Sequence, residues 1–342
     1  MKVAVVRNSE RSEVINRFGQ VCPEVYSAKT IRSVMDALIA GGHAVVVVEG
    51  DKRLLSVIEQ LIPDGLVFNM AYGIQGQSRY THVPAMLELA GIPYTGSGPL
   101  GHAIALDKVV TKNLLEQAGV TTPGYAVMSR PDAPAPALRY PVVVKPRHES
   151  TSYGLRLVEN RNELRDAVAA VIATYEQDAL VEEYVDGREI CAGLLGNDEV
   201  EFLPFVEADF GARPMRLVTF DDKYHLSGAE LEKICPALVN VELGAKLRDI
   251  SLAAFRACHC QDYSRVDIRV DRGGNPYVLE INSMASLGAG GSYVRAALAA
   301  GYTYTTLVNR IVEVAMERYA ARATPLTKPE MQSAASADAS NR

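Results

Sequence analysis

The residues best placed to do chemistry lie in SRVDIRVDRGGNPYVLEINS, two strand-like runs joined by Gly273-Gly274. A Gly-Gly pair supplies the positive φ angles of a two-residue hairpin turn. With Arg272 paired to Asn275, counting outward sets Asp267 opposite Glu280 and Arg265 opposite Asn282, all four side chains on one face. Facing carboxylates roughly 5 Å apart at Cβ repel each other unless a cation lies between them. Carboxylate and amide oxygens suit Mg2+, with phosphate oxygens completing its shell. Pro276 weighs against this register because it cannot donate to a ladder. An exposed polar hairpin face would show the same pattern. Val266, Ile268, Leu279 and Ile281 speak against that alternative, since they are expected to cover the opposite face and pack the hairpin into a sheet.

A second stretch, VVVKPRHESTSYG, reads as a buried strand ending in Lys145 and Pro146, then a hydroxyl-rich loop closed by Gly154. It lacks the Walker pattern, yet loop N–H groups and a strand lysine can hold a polyphosphate. A plain Ser/Gly turn fits the same letters. The third, LVEEYVDGREI, carries Glu182, Glu183 and, beyond Gly187, Glu189, which fits either an acidic binding edge or a solvated one.

These segments need a scaffold, and 342 residues with 48% hydrophobic and 22% charged composition can bury a sizeable core in one to three domains. A formal net charge of -6, from 35 Lys plus Arg against 41 Asp plus Glu, excludes a protein that grips nucleic-acid backbone. No apolar run reaches the roughly 20 residues of a membrane helix, and MKVAVVRNSE lacks a signal-peptide layout, so a cytoplasmic location is expected. Five Cys without C-x-x-C spacing suggest reduced, structural thiols.

Strands are expected at Lys2 to Val6, His43 to Glu49, Gly65 to Asn69 and Ile92 to Thr95, with helices at Thr30 to Ala40 and Val83 to Ala90. This alternation predicts an open, doubly wound parallel sheet, whose ligands sit at the strands' carboxyl ends. A helix over Asp107 to Ala118 leads to the spacer PDAPAPALRY. Strands Val142 to Lys145, Leu155 to Val158 and Leu180 to Tyr184 with helix Arg161 to Ile172 predict a compact second unit, and the remainder predicts strands with two helices. A boundary is expected near Pro99. The sequence after Tyr319 has almost no apolar periodicity and reads as a disordered tail.

The ordered blocks GIPYTGSGP, ALDKVVTKNLLEQAGV, VVVKPRHESTSYG, LVEEYVDGRE, DDKYHLSG with ICPA, RVDIRVD and LEINS resemble the ATP-grasp ligases, specifically the D-alanine:D-alanine ligase-like branch, from about residue 1 to residue 317. The resemblance implies an α/β ATP-grasp fold in three domains. These are an N-terminal doubly wound parallel sheet over residues 1–98, a central α+β unit over 99–185, and a C-terminal α+β unit with an antiparallel sheet over 186–321, before a disordered tail at 322–342. It further implies that Lys108 and Lys145 contact ATP phosphates, that Glu182 with the backbone of Tyr184 and Val185 reads adenine, and that Glu189 holds the ribose. Thr151 and Ser152 would cover the phosphates, and Lys223 and Tyr224 would belong to a closing lid. Asp267, Glu280 and Asn282 would ligate two Mg2+, or Mn2+ in their place. Arg265 would stabilise charge in the transition state, although a salt bridge to a neighbouring carboxylate fits it too. The activity implied is ATP-dependent carboxylate–amine ligation through an acyl phosphate, acting on small amino-acid substrates; relatives are often dimers, which leaves a homodimer as one option for the assembly.

The chain departs from that family in its substrate segments. AYGIQGQSRYTH stands where the dipeptide ligases show H-G-x-x-G-E-D-G, with Tyr72 in the His position. The entry loop G-G-x-S-x-E is replaced by RNSERSE and an insertion, which leaves Glu10, Glu13 and Glu24 as candidates to hold an ammonium. After Asn282, SMASLGAGGSYVRAA offers Ser286, Gly290, Gly291 and Ser292 without the usual proline, either to bind a carboxylate or only to cap a helix. Arg79, Arg147 and His148 would read a second carboxylate or stand as solvated loop positions. The expectation is a ligase with rewritten substrate pockets. Alternatives within the same resemblance are condensation of an amino acid onto a mycosporine-type cyclohexenone, and a nucleotide-binding protein that has lost ligation.

Overall fold

The run KVAVVR has no polar position inside it, and it folds as a strand buried on both faces, β1 (Lys2–Arg7). The computed structural model describes residues 1–9, 24–62, 65–213, 215–223 and 231–323. From β1 the chain continues through α1 (Ala28–Ala40), β2 (Ala44–Glu49), α2 (Leu54–Leu61), β3 (Leu66–Asn69), a short 3-10 turn (Arg79–Thr81) and α3 (His82–Leu89). The strands form a parallel sheet in the order β2-β1-β3. Val3 and Val5 face one core with Ile31, Val34 and Leu38 of α1. Ala4 and Val6 face another with Leu54 and Ile58 of α2 and Leu87 of α3. Alternate side chains therefore bury both faces, as a doubly wound sheet requires.

Next come α4 (Pro99–Leu106), α5 (Lys108–Gln117), β4 (Tyr125–Met128), β5 (Val142–Pro146), β6 (Arg156–Val158), α6 (Arg161–Tyr175) and β7 (Ala179–Glu183). The strands pair antiparallel in the order β4-β7-β5-β6. The last stretch holds β8 (Gly187–Gly196), β9 (Val200–Phe202), β10 (Val206–Asp209), α7 (Phe220–Lys223), β11 (Glu232–Ile234), α8 (Val241–Ala257), β12 (Tyr263–Asp271), β13 (Pro276–Asn282), α9 (Ser292–Ala299) and α10 (Tyr304–Ala323). Its sheet runs β11-β10-β8-β12-β13, with β9 on β8. Leu307 and Ile311 of α10 and Val294 of α9 return to pack in the core beside β1. Among the described residues no helix is long and apolar enough to cross a membrane.

Several expectations are corrected. Ile92 to Thr95 is not a strand but a single bridge, Tyr94 to Val67, because Pro93 offers no N–H to extend a ladder. Helices α2 and α4 were not expected, though Pro99 in the first turn of α4 is a helix-start signal. The C-terminal third carries α7, α8, α9 and α10 rather than two helices. Helix α10 runs to Ala323, past the expected start of the tail at 322, and residues 324–342 lie outside the described residues.

The hairpin departs from the expected register near its turn. Gly274, at φ +80, donates its N–H to Asp271 O (3.1 Å), and Asp271 N–H donates to Asn275 O (3.0 Å). The turn therefore holds one residue more than a Gly-Gly turn, the common three-residue form with a left-handed glycine at its end. Val270 pairs with Pro276 and Ile268 with Val278, one step away from the expected register. A bulge between Ile268 and Asp267 then restores it, so Asp267 does pair with Glu280 and Arg265 with Asn282. Leu279 is the extra residue. Val278, not Leu279, joins Val266, Ile268 and Ile281 in the core against Leu247 and Phe255 of α8, while Leu279 lines a cavity on the other side.

Candidate active site

The polar face of β12 and β13 opens into a cavity of about 580 Å3. Arg265 grips Asp267 with both prongs, Nε to Oδ1 at 2.6 Å and Nη2 to Oδ2 at 2.7 Å. Such fork-on-carboxylate pairs are among the strong charge-assisted hydrogen bonds. Burial would lower the Arg265 guanidinium's pKa, but Asp267 outweighs it and holds the cation firmly protonated. Asn282 Nδ2 adds a hydrogen bond to Asp267 Oδ2 at 3.1 Å. Glu280 lies 3.6 Å from Lys108 Nζ. The like-charged pair is thus offset by a cation on each side. Cys191 of β8 stands opposite Asp267 on its other flank and also lines the cavity. Burial, with the Asp267 charge behind it, pushes its thiol up, so it stays protonated.

Lys108 opens α5, whose N-cap Asp107 accepts from Val109 and Val110 N–H. Its ammonium also donates to the Glu149 carbonyl. Lys145, near the end of β5, pairs with Glu182 of β7, and Lys112, one helical turn beyond Lys108, reaches the same carboxylate at 2.5 Å. Burial would raise the Glu182 carboxyl's pKa, but the two lysines hold it below the usual range. Lys145 is raised because Glu182 and Glu280 overcome the effect of its burial. Between β5 and β6, Thr151 and Ser152 take consecutive left-handed conformations, φ +56 and +58, which cost of order 1 kcal/mol each in residues with a Cβ. The curl places Thr151 on the large cavity and Ser152, with Lys145, on an adjoining one of about 60 Å3. Lys108, Glu189, Asp267 and Glu280 border both.

At the other end the Glu24 carboxylate is buried and accepts a hydrogen bond from the Tyr80 hydroxyl. Tyr26 stacks on Tyr72 with ring centroids 4.8 Å apart, and Tyr72 lies 5.3 Å from Tyr80. Gly73, at φ +78, makes this possible, because a Cβ there would sit 1.9 Å from the Arg79 carbonyl oxygen. Facing the tyrosines, α9 begins at Gly291 without a side-chain cap, with Ser286, Gly291 and Ser292 on the cavity wall. Uncapped N–H groups at a helix start favour an anion. Lys233 Nζ donates to the Gly290 carbonyl at 2.7 Å beside them.

The fold thus gathers Glu24, Tyr72, Lys108, Thr151, Glu189, Arg265, Asp267, Glu280, Asn282, Ser286, Gly291 and Ser292 around one cavity, with Lys145 and Ser152 next door. Others lie elsewhere. Glu182 is buried between two lysines, and Tyr184 and Val185 form the crossover from β7 to β8, with Val185 O accepting from Arg269. Arg79 is turned from the cavity, its guanidinium on Glu149 (3.2 Å) and the His148 carbonyl (3.2 Å). Arg147 and His148 both bind Asp107, behind the loop. Lys223 ends α7, and its side chain, with Tyr224, Glu10 and Glu13, falls outside the described residues. Sequence reasoning missed Lys112, Cys191, Lys233 and Arg269.

Residues 114–313 match the family model of the D-ala D-ala ligase C-terminus. A D-alanine–D-alanine ligase of Syntrophobacter fumaroxidans is 37% identical over 243 residues, 69% of this chain and 76% of that protein. One of Desulforudis audaxviator is 32% identical over 301 residues, 85% of this chain and 94% of that protein. An "Uncharacterized protein y4sG" of Sinorhizobium fredii is 50% identical over 330 residues, 93% of this chain and 98% of that protein. The crystal structure of a Bacillus anthracis D-alanine–D-alanine ligase complexed with ATP shares the fold, with a TM-score of 0.72 at 22% identity over 94% of this chain and 99% of that one. Sheet layout and cavity define an ATP-grasp protein. The chain belongs to the D-alanine:D-alanine ligase-like family of ATP-grasp ligases.

Proposed function

We propose that this chain is an ATP- and Mg2+-dependent carboxylate–amine ligase that joins an amino acid to a second amino acid or amine, with substrate pockets altered from those of the dipeptide ligases. The observation that carries the reading is the register of β12 on β13, which sets Asp267 and Glu280 face to face on the cavity with Asn282 and Arg265 beside them. In this reading residues 1–98 supply the first substrate's site, 99–185 the nucleotide cover and 186–321 the catalytic sheet. Two carboxylates and an amide oxygen fit a hard divalent cation whose remaining ligands are phosphate oxygens. Magnesium bound there would neutralise charge on the transferring phosphoryl group.

The chain's own groups do the rest. Lys108 and Lys145 present ammonium groups to the polyphosphate, and the Thr151–Ser152 curl covers it. A substrate carboxylate attacking the γ-phosphorus displaces ADP and becomes an acyl phosphate; an amine then attacks its carbonyl carbon, expelling inorganic phosphate and giving up a proton. Arg265 offsets the developing negative charge. Glu24, within the tyrosine cluster, holds an ammonium, and the start of α9 receives a carboxylate. The missing acidic pair near Tyr72 and the aromatic wall support a substrate other than two D-alanines.

The test is a pairwise panel of D- and L-amino acids and simple amines, read by phosphate release and mass spectrometry of products. ADP and a condensed product formed only with a particular pair support the reading. Tight ATP binding with no turnover on any pair, unchanged in Glu280→Ala, would instead support a nucleotide-binding protein without ligation.

A further inference from the structure

Arg269 stands two residues beyond Asp267 on the same face of β12, opposite Glu189 of β8, and it is 2% exposed. Its Nε and Nη2 both donate to the Val185 carbonyl, at 2.9 and 2.8 Å. Its Nη1 donates to Glu189 Oε2 at 3.2 Å and to the Arg216 carbonyl at 2.8 Å. The guanidinium also lies 5.3 Å from the Tyr184 ring centroid and 5.9 Å from that of Phe210.

Each contact has a consequence for the cavities. Val185 lies in the crossover between β7 of one sheet and β8 of the other. Arg216 leads into Leu217 and Val218, which line the smaller cavity with Leu155 and Leu279. Those apolar side chains suit a flat base, the neighbouring lysines suit phosphates, and Glu189, bordering both cavities, is a carboxylate suited to vicinal hydroxyl donors. One buried guanidinium therefore fixes the crossover, the base-side wall and the hydroxyl-binding carboxylate together.

We propose that Arg269 is a positioning residue for nucleotide recognition, which sets the Glu189 carboxylate to read the ribose hydroxyls and locks the crossover and the Arg216–Val218 wall around the base. The proposal rests on the ATP-dependent reading given above. Arg269 itself touches neither the nucleotide nor the reacting atoms. Loss of the clamp removes the Arg269 ion pair that orients the Glu189 carboxylate, so discrimination between ribose and 2′-deoxyribose falls along with affinity.

The test is calorimetric titration of the full chain with the non-hydrolysable analogue adenylyl imidodiphosphate plus Mg2+, and with its 2′-deoxy form, for the parent, Arg269→Gln and Arg269→Lys. The parent is expected to prefer the ribo form. Arg269→Gln should lose about tenfold in affinity and most of that preference, with circular-dichroism melts confirming a folded protein. Arg269→Lys keeps the charge but cannot span Val185 and Glu189 together, so it should lose about threefold of the preference, and it carries the test if the glutamine variant does not fold. An unchanged ribo-to-deoxy ratio in either folded variant overturns the role of Arg269 while leaving the ligase reading intact. No binding of either form to the parent overturns both.

Discussion

Lys112 Nζ lies 2.5 Å from Glu182 Oε1 with both side chains almost wholly buried, so neither charge has water to fall back on. Removing one member of such a pair typically costs about 3–5 kcal/mol, because the other is left buried with incomplete compensation. Lys112→Met should therefore destabilise the chain by about 3 kcal/mol, reported by the midpoint of urea unfolding. Lys145 remains on Glu182 and keeps the loss from being larger. A shift below about 0.5 kcal/mol would mean the pair contributes little.

Asp267→Asn preserves shape but removes the charge that faces Glu280 and receives both prongs of Arg265. Steady-state ATP turnover with the substrate pair found in the panel should fall by at least about 100-fold, as expected when a metal-binding, charge-offsetting group is lost. An intact melting curve would assign that loss to chemistry rather than folding.

Glu24→Gln tests the substrate end. With Tyr80 still able to hydrogen-bond the amide, the variant should raise KM for the ammonium-bearing substrate about tenfold and leave KM for ATP unchanged. Equal changes in both constants would separate Glu24 from substrate binding.

Asp107 gives the pH dependence. Burial would raise its carboxyl pKa, but hydrogen bonds from His148 and Arg147 overcome this and hold it well below the usual carboxylate range. A depressed carboxyl contributes stability in full above its unfolded pKa, about 4, and loses it as pH falls through the folded value. Asp107→Asn keeps the cap on α5 and loses the ion pairs. Wild type should exceed this variant in unfolding free energy above about pH 5, and the gap should close progressively below pH 4 in chemical denaturation series.

Gly73→Ala should destabilise by more than about 1 kcal/mol, since φ +78 disfavours a Cβ and the Arg79 carbonyl oxygen stands 1.9 Å from where it would be. Because Tyr72 and Tyr80 flank this turn, the same change should also weaken substrate binding. Thermal unfolding and KM for the ammonium-bearing substrate report the two effects.

Much of this was legible in the sequence wherever a local rule governs. The alternation of β1 with α1 and β2, and the apolar run of β5, follow from patterning that the tertiary fold does not override. The i,i+4 spacing of Lys108 and Lys112 and the period-2 row Arg265, Asp267, Arg269 were signals that could have found two of the missed residues. What was not legible depends on pairs far apart in the chain. Arg79 meets Glu149 across 70 positions, and no local pattern tells a buried strap from a substrate contact. The fate of Glu182 likewise turns on Lys112 of α5, 70 positions earlier in the chain, whose ammonium reaches it as a second lysine.

The hairpin carries two departures from ideal geometry, a wider turn beyond Asp271 and an extra residue at Leu279, and their offsets cancel by the time β12 reaches Asp267. Both extra residues stand outside the pairs themselves, the glycines beyond the closing Asp271–Asn275 contact and Leu279 between two paired positions. With β8 pinning the other edge of β12, the facing of the two acids is owed to the ladder and not to the length of the bend.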